Sequence, residues 1–289
     1  MKILFVGDVH GRIFHLLALA RHIQSVEGHQ VACIIQVGDM GAFPSGDRVD
    51  SATLSFASSD PSELDFVSFI NAAPSTIQTL STVKQDLATT VLFLRGDHED
   101  HPWLDSLSGA DGSSQPVSLG PLGIVSYVPD FSIIDCCGLS VGFASGIAAN
   151  PVERPGQVSV RWDGFGTHKP LDILVTHHPP FGVSVGYKGL LQGSKYVTEL
   201  ISATQPRFHF FGHLHQTLGP FRIGRTVSMG LSQLVQPLRN NPQQDILPGS
   251  LGLFDIGASE FHFVMEEWLS LYNRHMKLPE LLKVAGRLH

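Results

Sequence analysis

The chain has 289 residues, of which 43% are hydrophobic and 16% charged, and a formal net charge of −7. This composition supports a sizeable buried core and excludes general disorder, and the negative charge excludes a global basic surface for a nucleic-acid backbone. No run of 18 apolar residues and no basic segment leading into a long apolar one is present, so we expect neither an ordinary membrane span nor secretion.

The three cysteines of the chain, Cys33, Cys136 and Cys137, do not form a C-x-x-C motif. The adjacent pair is poorly placed for an ordinary disulfide, so we expect reduced, buried thiols. Because such thiols are typical of intracellular proteins, we expect a cytoplasmic protein.

The first third of the chain predicts buried strands and one helix. Apolar runs that predict strands lie at residues 3–6, 31–37 and 91–94. Residues 12–26, between the first two runs, carry apolar side chains at helical spacing. The chain therefore opens with a strand, a polar loop and a helix.

The segment between the second and third of these strands is interpreted as an insertion. Residues 44–61 are rich in Ser, Asp, Pro and Gly, and residues 62–88 fit one or two helices. We expect one domain over residues 1–289, with an insertion at about 44–88 and a C-terminal extension at about 264–289.

The second half of the chain predicts short strands and long loops. Residues 106–121 and 236–250 are expected to be long loops, which beside a site often act as lids or substrate walls. Three short apolar segments within 122–143 suggest a meander. Further strands are predicted at 173–175 and 208–211, and segments at 220–229 and 251–256 fit a second sheet. These elements predict an α/β fold of two packed sheets with outer helices.

Five short polar clusters each follow an apolar run. Because open α/β sheets bind ligands outside the carboxyl ends of their strands, clusters that are distant in sequence can share one crevice. Carboxylate and imidazole ligands together suit manganese, iron, zinc or cobalt better than calcium. We therefore expect a site for two metal ions, with Asp39 placed to bridge them. The clusters are Asp8-Val9-His10, Gly38-Asp39, Gly96-Asp97-His98-Glu99, Thr176-His177-His178 and Gly212-His213-Leu214-His215.

This series resembles the calcineurin-like metallophosphoesterases, whose pattern is D-x-H, GD, GNH[E/D], H and GH-x-H in that order. The resemblance spans Asp8 to His215, about three quarters of the chain. It implies the two-sheet metallophosphoesterase sandwich, with mixed sheets flanked by helices, and it makes His98 the catalytic histidine. It also implies two ligand sets, which are Asp8, His10, Asp39 and His215 for one ion and Asp39, Asp97, His177 and His213 for the other.

The resemblance implies a hydrolase that cleaves phosphomonoesters or phosphodiesters by attack of a hydroxide bridging two divalent ions. We expect manganese as the metal, with iron, zinc, cobalt or nickel as alternatives, and a small phosphorylated substrate. His98 would protonate the leaving oxygen, and Glu99 or Asp100 would orient it. An equally good interpretation of these two carboxylates is a salt bridge or a helix N-cap.

Asp97 departs from the family pattern, which has asparagine at this position. An ionised aspartate adds one negative charge to the metal centre, so metal binding should tighten and Lewis acidity should fall. Asp97 can still reach the same ion, so we expect the site to be kept.

The first and third motifs look most like those of the phosphoprotein phosphatases. After Asp39, however, the chain lacks their V-D-R-G continuation and the phosphate-binding arginine within it, which argues against protein phosphatase activity. Arg12 is the nearest basic residue to the first motif; it either contacts substrate phosphate or is a solvated arginine at the start of a helix. His178 either touches substrate or has a structural role. Gly7, Gly11, Gly38, Gly96 and Gly212 are interpreted as turn residues that bring the backbone close to the metals.

Two alternative functions are compatible with the same motifs. One is a binding module that keeps the fold and is catalytically impaired, since fold does not fix function. The other is a nuclease, which is disfavoured by the negative charge and by the lack of a Lys/Arg run with interleaved aromatic residues.

Overall fold

The computed structural model describes residues 1–87, 89–107, 114–144, 170–238 and 245–286. Seven α-helices lie within these ranges: α1 (Ile13–Ser25), α2 (Ser51–Ala57), α3 (Asp65–Ile70), α4 (Pro74–Leu87), α5 (His101–Leu107), α6 (Lys195–Thr204) and α7 (Leu278–Ala285). None of these helices combines the length and the apolar character needed to cross a membrane.

The described residues also contain fifteen β-strands. In chain order they are β1 (Lys2–Val6), β2 (Val31–Gln36), β3 (Val91–Phe93), β4 (Val117–Leu119), β5 (Val125–Tyr127), β6 (Ile133–Cys136), β7 (Leu139–Ala144), β8 (Ile173–Thr176), β9 (Ser184–Val185), β10 (Leu191–Gln192), β11 (Phe208–Phe211), β12 (Leu218–Ile223), β13 (Thr226–Gly230), β14 (Leu251–Asp255) and β15 (Glu260–Phe263).

These strands form two mixed sheets and a small ribbon. The first sheet has the order β15-β14-β1-β2-β3-β5-β4, with β1, β2, β3 and β5 parallel to one another. The second has the order β12-β13-β11-β8-β7-β6, with β13, β11, β8 and β7 parallel. β9 and β10 pair as a separate antiparallel ribbon. The predicted two-sheet sandwich flanked by helices is thus confirmed.

The side chains of β1 point alternately to the two faces of the first sheet, and their contacts show where the core lies. Ile3 and Phe5 belong to the apolar cluster between the two sheets, where the ring of Phe5 stacks on Phe210 with centroids 3.8 Å apart. Leu4 and Val6 point to the opposite face and pack in the cluster that includes α1 and α7. Because successive side chains of a strand point to opposite faces, one apolar strand serves both layers.

The meander suggested for 122–143 is wrong. β5 lies in the first sheet between β3 and β4, whereas β6 and β7 form a hairpin at the edge of the second sheet. The segment at 251–256 is also misplaced, because β14 pairs with β1 in the first sheet. Apolar alternation shows that a strand is buried on one face, but it does not identify the partner strand.

The region 44–61, rich in Ser, Asp, Pro and Gly, contains α2, whose N-cap Asp50 accepts hydrogen bonds from the backbone N–H groups of Ala52 and Thr53. The two long-loop predictions are corrected or tested only in part. The region 106–121 includes β4, and its residues 108–113 lie outside the described residues, as do residues 239–244 of the loop at 236–250.

The cysteines partly follow the expectation. Cys33 and Cys136 are buried with their Sγ atoms 3.4 Å apart, and all three thiols are free. Cys137 is exposed, which corrects the expectation that all three are buried.

Candidate metal centre

The five polar clusters meet at one edge of the sandwich. β1, β2 and β3 are parallel neighbours in the first sheet, and β8 and β11 are parallel neighbours in the second. Each cluster follows the carboxyl end of one of these strands, so the chain emerges from both sheets at the same crevice.

The first group of candidate ligands consists of Asp8, His10, Asp39 and His215. Nε2 of His215 lies 3.1 Å from Oδ2 of Asp8 and 3.0 Å from Nε2 of His10. Nε2 of His10 is 3.9 Å from Oδ2 of Asp39. One ligand atom from each residue lies within 4.8 Å of the others, an arrangement that fits a single divalent ion.

The second group consists of Asp97, His177 and His213. Oδ1 of Asp97 lies 3.0 Å from Nε2 of His177 and 3.0 Å from Nδ1 of His213. The other ring nitrogen of His177, Nδ1, donates a hydrogen bond to the carbonyl of Val37 at 3.0 Å. A histidine held in this way presents Nε2 with its lone pair to a metal ion.

Asp39 lies between the two groups. Oδ1 accepts hydrogen bonds from the backbone N–H groups of Asp97 and His98 at 2.7 and 2.9 Å, and it is 3.3 Å from Nε2 of His177. Oδ2 faces His10 of the first group. The carboxylate therefore has one oxygen toward each half of the centre, as a bridging ligand requires.

The backbone at these residues adopts an unfavourable conformation. Four candidate ligands have positive φ, at 47° for His10, 55° for Asp39, 70° for His213 and 54° for His215. Residues other than glycine adopt this region rarely, and such residues concentrate at functional sites. The clustering of four such residues is a second sign, independent of the ligand chemistry, that this crevice is functional.

Three glycines allow the strand ends to approach the candidate ligands. A Cβ on Gly96 would lie 2.2 Å from Oδ1 of Asp39, and one on Gly212 would lie 2.1 Å from Oδ1 of Asp8. A Cβ on Gly38 would lie 2.4 Å from Nδ1 of His177. No larger residue fits at these positions without displacing a candidate ligand.

His98 borders the centre, and its charged partner differs from the one expected. Nδ1 of His98 lies 3.7 Å from Oδ2 of Asp50, the N-cap residue of α2. The Asp50 carboxylate raises the pKa of His98 to about 10, so the imidazole carries a proton at neutral pH. Asp50 is not among the residues predicted from the sequence, although an aspartate just before a helix is a recognisable N-cap signal.

Glu99 and Asp100 have structural partners instead. Glu99 accepts hydrogen bonds from the backbone N–H groups of Met40 and Gly96 at 2.7 and 2.8 Å, and it ties the second motif to the third. Asp100 pairs with Arg48 and accepts from the backbone N–H of Trp103 in α5. The salt-bridge and N-cap interpretation is therefore correct for Asp100.

Arg12 is neither solvated nor free. It is buried, and Nη2 donates to Asp60 at 2.9 Å and to Glu63 at 2.6 Å, both in the expected insertion. A second buried arginine, Arg274, binds Asp245 at 2.6 Å and approaches Asp60 at 3.4 Å. These contacts join the expected insertion to the expected C-terminal extension.

His178 lies beside the second group with its ring centroid 4.2 Å from that of His213. Its Nε2 atom is buried and has no hydrogen-bond partner among the described residues, and burial lowers the pKa of His178 well below its usual range. The ring is therefore neutral and packs against a candidate ligand.

Burial and neighbouring carboxylates set the pKa values of the candidate histidine ligands. Burial lowers the pKa of His10 to about 4, so this ring is neutral and can bind a metal ion. Burial also acts to lower the pKa of His177, but the adjacent carboxylates of Asp39 and Asp97 raise it well above its usual range. The negative charge of the cluster attracts positive charge, which a metal ion would supply.

A pocket of about 140 Å³ opens next to the first group. One wall comes from the expected insertion and another from the segment that follows β13. Pro237 in this segment belongs to the loop 236–250, which was expected as a possible substrate wall, whereas Gln233 and Val235 were not predicted to line the site. Its lining residues are His10, Arg12, Thr53, Phe56, Glu63, His98, His215, Gln233, Val235 and Pro237.

Comparisons with known proteins agree with this geometry. The family model described as calcineurin-like phosphoesterase matches residues 1–217. One crystal structure aligns at a TM-score of 0.56 with 13% identity, covering 92% of this chain and 99% of its own, which shows a shared fold. The protein TT1561 of Thermus thermophilus aligns at 0.48 with 14% identity, over 91% of this chain and 97% of its own. A phosphatase from Mycoplasma pneumoniae aligns at 0.41 with 9% identity, over 94% and 97%. No curated protein matches the chain.

Proposed function

The chain belongs to the calcineurin-like phosphoesterase family, and from this premise we propose that it is a dinuclear metal-dependent hydrolase of phosphomonoesters or phosphodiesters. The observation that carries the proposal is the position of Asp39, with one carboxylate oxygen toward each of two groups of histidine and aspartate side chains.

The residues present fit two divalent ions. Asp8, His10, Asp39 and His215 would hold one ion. Asp97, His177 and His213 would hold the other together with Asp39, whose Oδ1 lies 3.3 Å from Nε2 of His177. The mixture of imidazole and carboxylate favours a first-row transition metal, and we propose manganese, with iron, zinc, cobalt or nickel as alternatives. When bound, the two ions would activate water as the nucleophile and neutralise the charge that gathers on the phosphoryl group.

The chain's own residues supply the remaining chemistry. His98 lies beside both groups without belonging to either four-residue ligand set, and its Nδ1 atom faces the carboxylate of Asp50, which favours the protonated ring. A proton on His98 can pass to the oxygen of the departing alcohol, which would otherwise leave as an alkoxide. Asp39 receives backbone hydrogen bonds from the same turn that carries His98, so the acid and the candidate bridging ligand are positioned together.

We further propose a small phosphorylated molecule as the substrate and the cytoplasm as the location. Arg12 is the one lysine or arginine among the residues that line the pocket, and it is already paired with two carboxylates. A long nucleic-acid backbone would need more positive charge than this described surface offers.

The proposal is tested by metal analysis and turnover. The purified chain should bind two manganese ions and should hydrolyse p-nitrophenyl phosphate or bis(p-nitrophenyl) phosphate. Asp39→Asn should abolish turnover and lower the metal content, whereas Gly46→Ala, at a position with no atom within 4 Å of an added Cβ, should leave both unchanged. Two bound metals without turnover of either ester under any of the five metals would contradict the proposed hydrolase. Fewer than one metal per chain would favour the binding-module alternative.

A further inference from the structure

The pocket beside the metal centre has one apolar side. Phe56 on α2 lines it, with 59% of the residue exposed to solvent, and Val235 and Pro237 line it from the segment after β13. The exposed ring of Phe56 is therefore available to a bound molecule.

The size of the pocket limits what it can hold. At about 140 Å³ it is close to the roughly 150 Å³ of an engineered apolar cavity that takes up benzene. One six-membered ring would fill it, whereas an extended chain or a protein segment would have to lie largely outside. Rings that pack face to face or edge to face on Phe56 would also gain the preference of aromatic groups for each other.

The charge of the pocket disfavours a second phosphate. Arg12 donates to Asp60 and Glu63, and Asp60 is shared with Arg274, which in turn binds Asp245. Two arginines thus face three carboxylates, and His98, which also lines the pocket, has the Asp50 carboxylate beside it, so these described residues offer an anionic group no unpaired positive charge. An uncharged group is consequently the better occupant of this side of the site.

His98 connects the pocket to the chemistry. It lines the pocket together with His10 and His215, and it is the residue proposed to protonate the departing oxygen. An alcohol seated in the pocket therefore has its oxygen next to His98. Building on the proposed function, we infer that the pocket is the subsite for the leaving alcohol and that it selects a single uncharged ring, packed on Phe56.

Binding of phosphonates to the manganese-loaded full chain tests this inference without requiring turnover. Benzylphosphonate and ethylphosphonate replace the ester oxygen of phenyl and methyl phosphate by CH2, and 2-carboxyethylphosphonate adds a negative charge. We expect benzylphosphonate to bind at least about tenfold more tightly than ethylphosphonate, the range expected for burying a ring-sized apolar group. The carboxyethyl compound should bind no more tightly than ethylphosphonate.

A matched pair of variants assigns the preference to Phe56. Phe56→Ala should remove most of the preference for benzylphosphonate and leave ethylphosphonate binding within about twofold. Leu54→Ala is the control, because Leu54 lies on the same helix with 47% exposure and does not line the pocket. Both side chains are exposed, so both variants should fold.

The outcomes separate this inference from the proposed function. Equal binding of the benzyl and ethyl compounds, equal effects of the two variants, or tightest binding of the carboxyethyl compound would overturn the ring subsite. Metal-loaded protein that shows the ring preference but hydrolyses neither p-nitrophenyl phosphate nor bis(p-nitrophenyl) phosphate would overturn the hydrolase and with it the assignment of the pocket to a leaving group. Turnover of either ester with no ring preference would overturn the subsite alone.

Discussion

His98 lies against Asp50, with its Nδ1 atom 3.7 Å from Oδ2 of the aspartate. Asp50 is also the N-cap of α2, the helix that carries Phe56. One residue in the expected insertion therefore positions both the proposed acid and the wall of the proposed alcohol subsite.

Replacing Asp50 by asparagine should lower kcat. Asparagine caps helices about as well as aspartate, so α2 should stay in place while the negative charge beside His98 disappears. We expect kcat to fall by roughly 10- to 100-fold, within the range that general acid catalysis contributes, with a smaller change in KM. Steady-state kinetics with benzyl phosphate checks this, because its alcohol would otherwise leave as an alkoxide, and Asp47→Asn, at an exposed neighbouring carboxylate, is the control. A fall of equal size in the control would show that local charge, rather than contact with His98, matters.

Restoring the family residue at Asp97 should change metal affinity. Asp97→Asn removes one negative charge but keeps an oxygen that can reach His177 and His213. We expect manganese to bind roughly 10- to 100-fold more weakly, the scale on which changes around metal sites act. The metal-saturated variant should have a higher kcat, because its ions are stronger Lewis acids. Calorimetric titration measures the affinity. Asp97→Ala should bind still more weakly, and unchanged affinity in both variants would remove Asp97 from the ligand set.

A methyl group on Gly96 should disrupt the centre without removing any candidate ligand. Its Cβ would lie 2.2 Å from Oδ1 of Asp39 and 2.7 Å from Nε2 of His177, so at least one of them must move. Misplacement of this kind can cost about 100-fold in rate, and we expect a loss of at least this size together with lower metal content. Gly46→Ala is the matched control, since an added Cβ there meets nothing. Wild-type metal content in Gly96→Ala would show that the backbone can relax.

Loss of Arg274 should destabilise the protein more than loss of an exposed arginine. Arg274 is buried and pairs with Asp245 and Asp60, so Arg274→Ala removes the guanidinium from the partly buried carboxylate of Asp245 and leaves Asp60 paired with Arg12. We expect the free energy of unfolding to fall by about 3 kcal/mol. Urea denaturation measures this fall, and Arg225→Ala, which removes an exposed side chain bound to the carbonyl of Gln205, should cost less than about 1 kcal/mol. Similar losses in the free energy of unfolding of the two variants would mean that the Arg274 network does not hold the expected C-terminal extension to the expected insertion.

Asp65 should make stability depend on pH. Burial raises the pKa of Asp65 to about 7, while Lys277 and Arg12 act to lower it and Asp60 acts to raise it. The unfolded chain loses this proton near pH 4, so wild-type stability should decline from about pH 4 to about pH 7 and then level off. Asp65→Asn has no such proton, and its stability relative to wild type should rise by roughly 2 kcal/mol over this interval.

Urea unfolding of both proteins at the two ends of this pH interval measures the difference. Asp135→Asn, in β6, is the control and should show no comparable gain. A constant difference between wild type and Asp65→Asn would mean that the carboxyl is better solvated than its position indicates.

The parts of the site that could be predicted share a local cause. Asp8, Asp39 and His177 follow apolar strands directly, and the carboxyl ends of parallel strands meet at one edge, so their convergence follows from the pattern. The role of the glycines next to them can also be predicted, since only glycine lets the backbone come so close to a ligand side chain. By contrast, Asp50 is separated from His98 by 48 positions, and nothing in its neighbours marks it as a partner of the third motif.

The sequence by itself determined the fold class, the family and the set of candidate ligands, because these depend on apolar periodicity and on the order of short motifs. Only the tertiary structure decided which strand joins which sheet, as β5 and β14 show, and which groups meet across the insertion. It also decided that Arg12 is neutralised by Asp60 and Glu63 rather than free for phosphate, and that Phe56 and Val235 form one wall. Such pairings are contacts between segments far apart in the chain. The free energy of each contact depends on burial and charge in the folded state, so it produces no periodic pattern in the sequence.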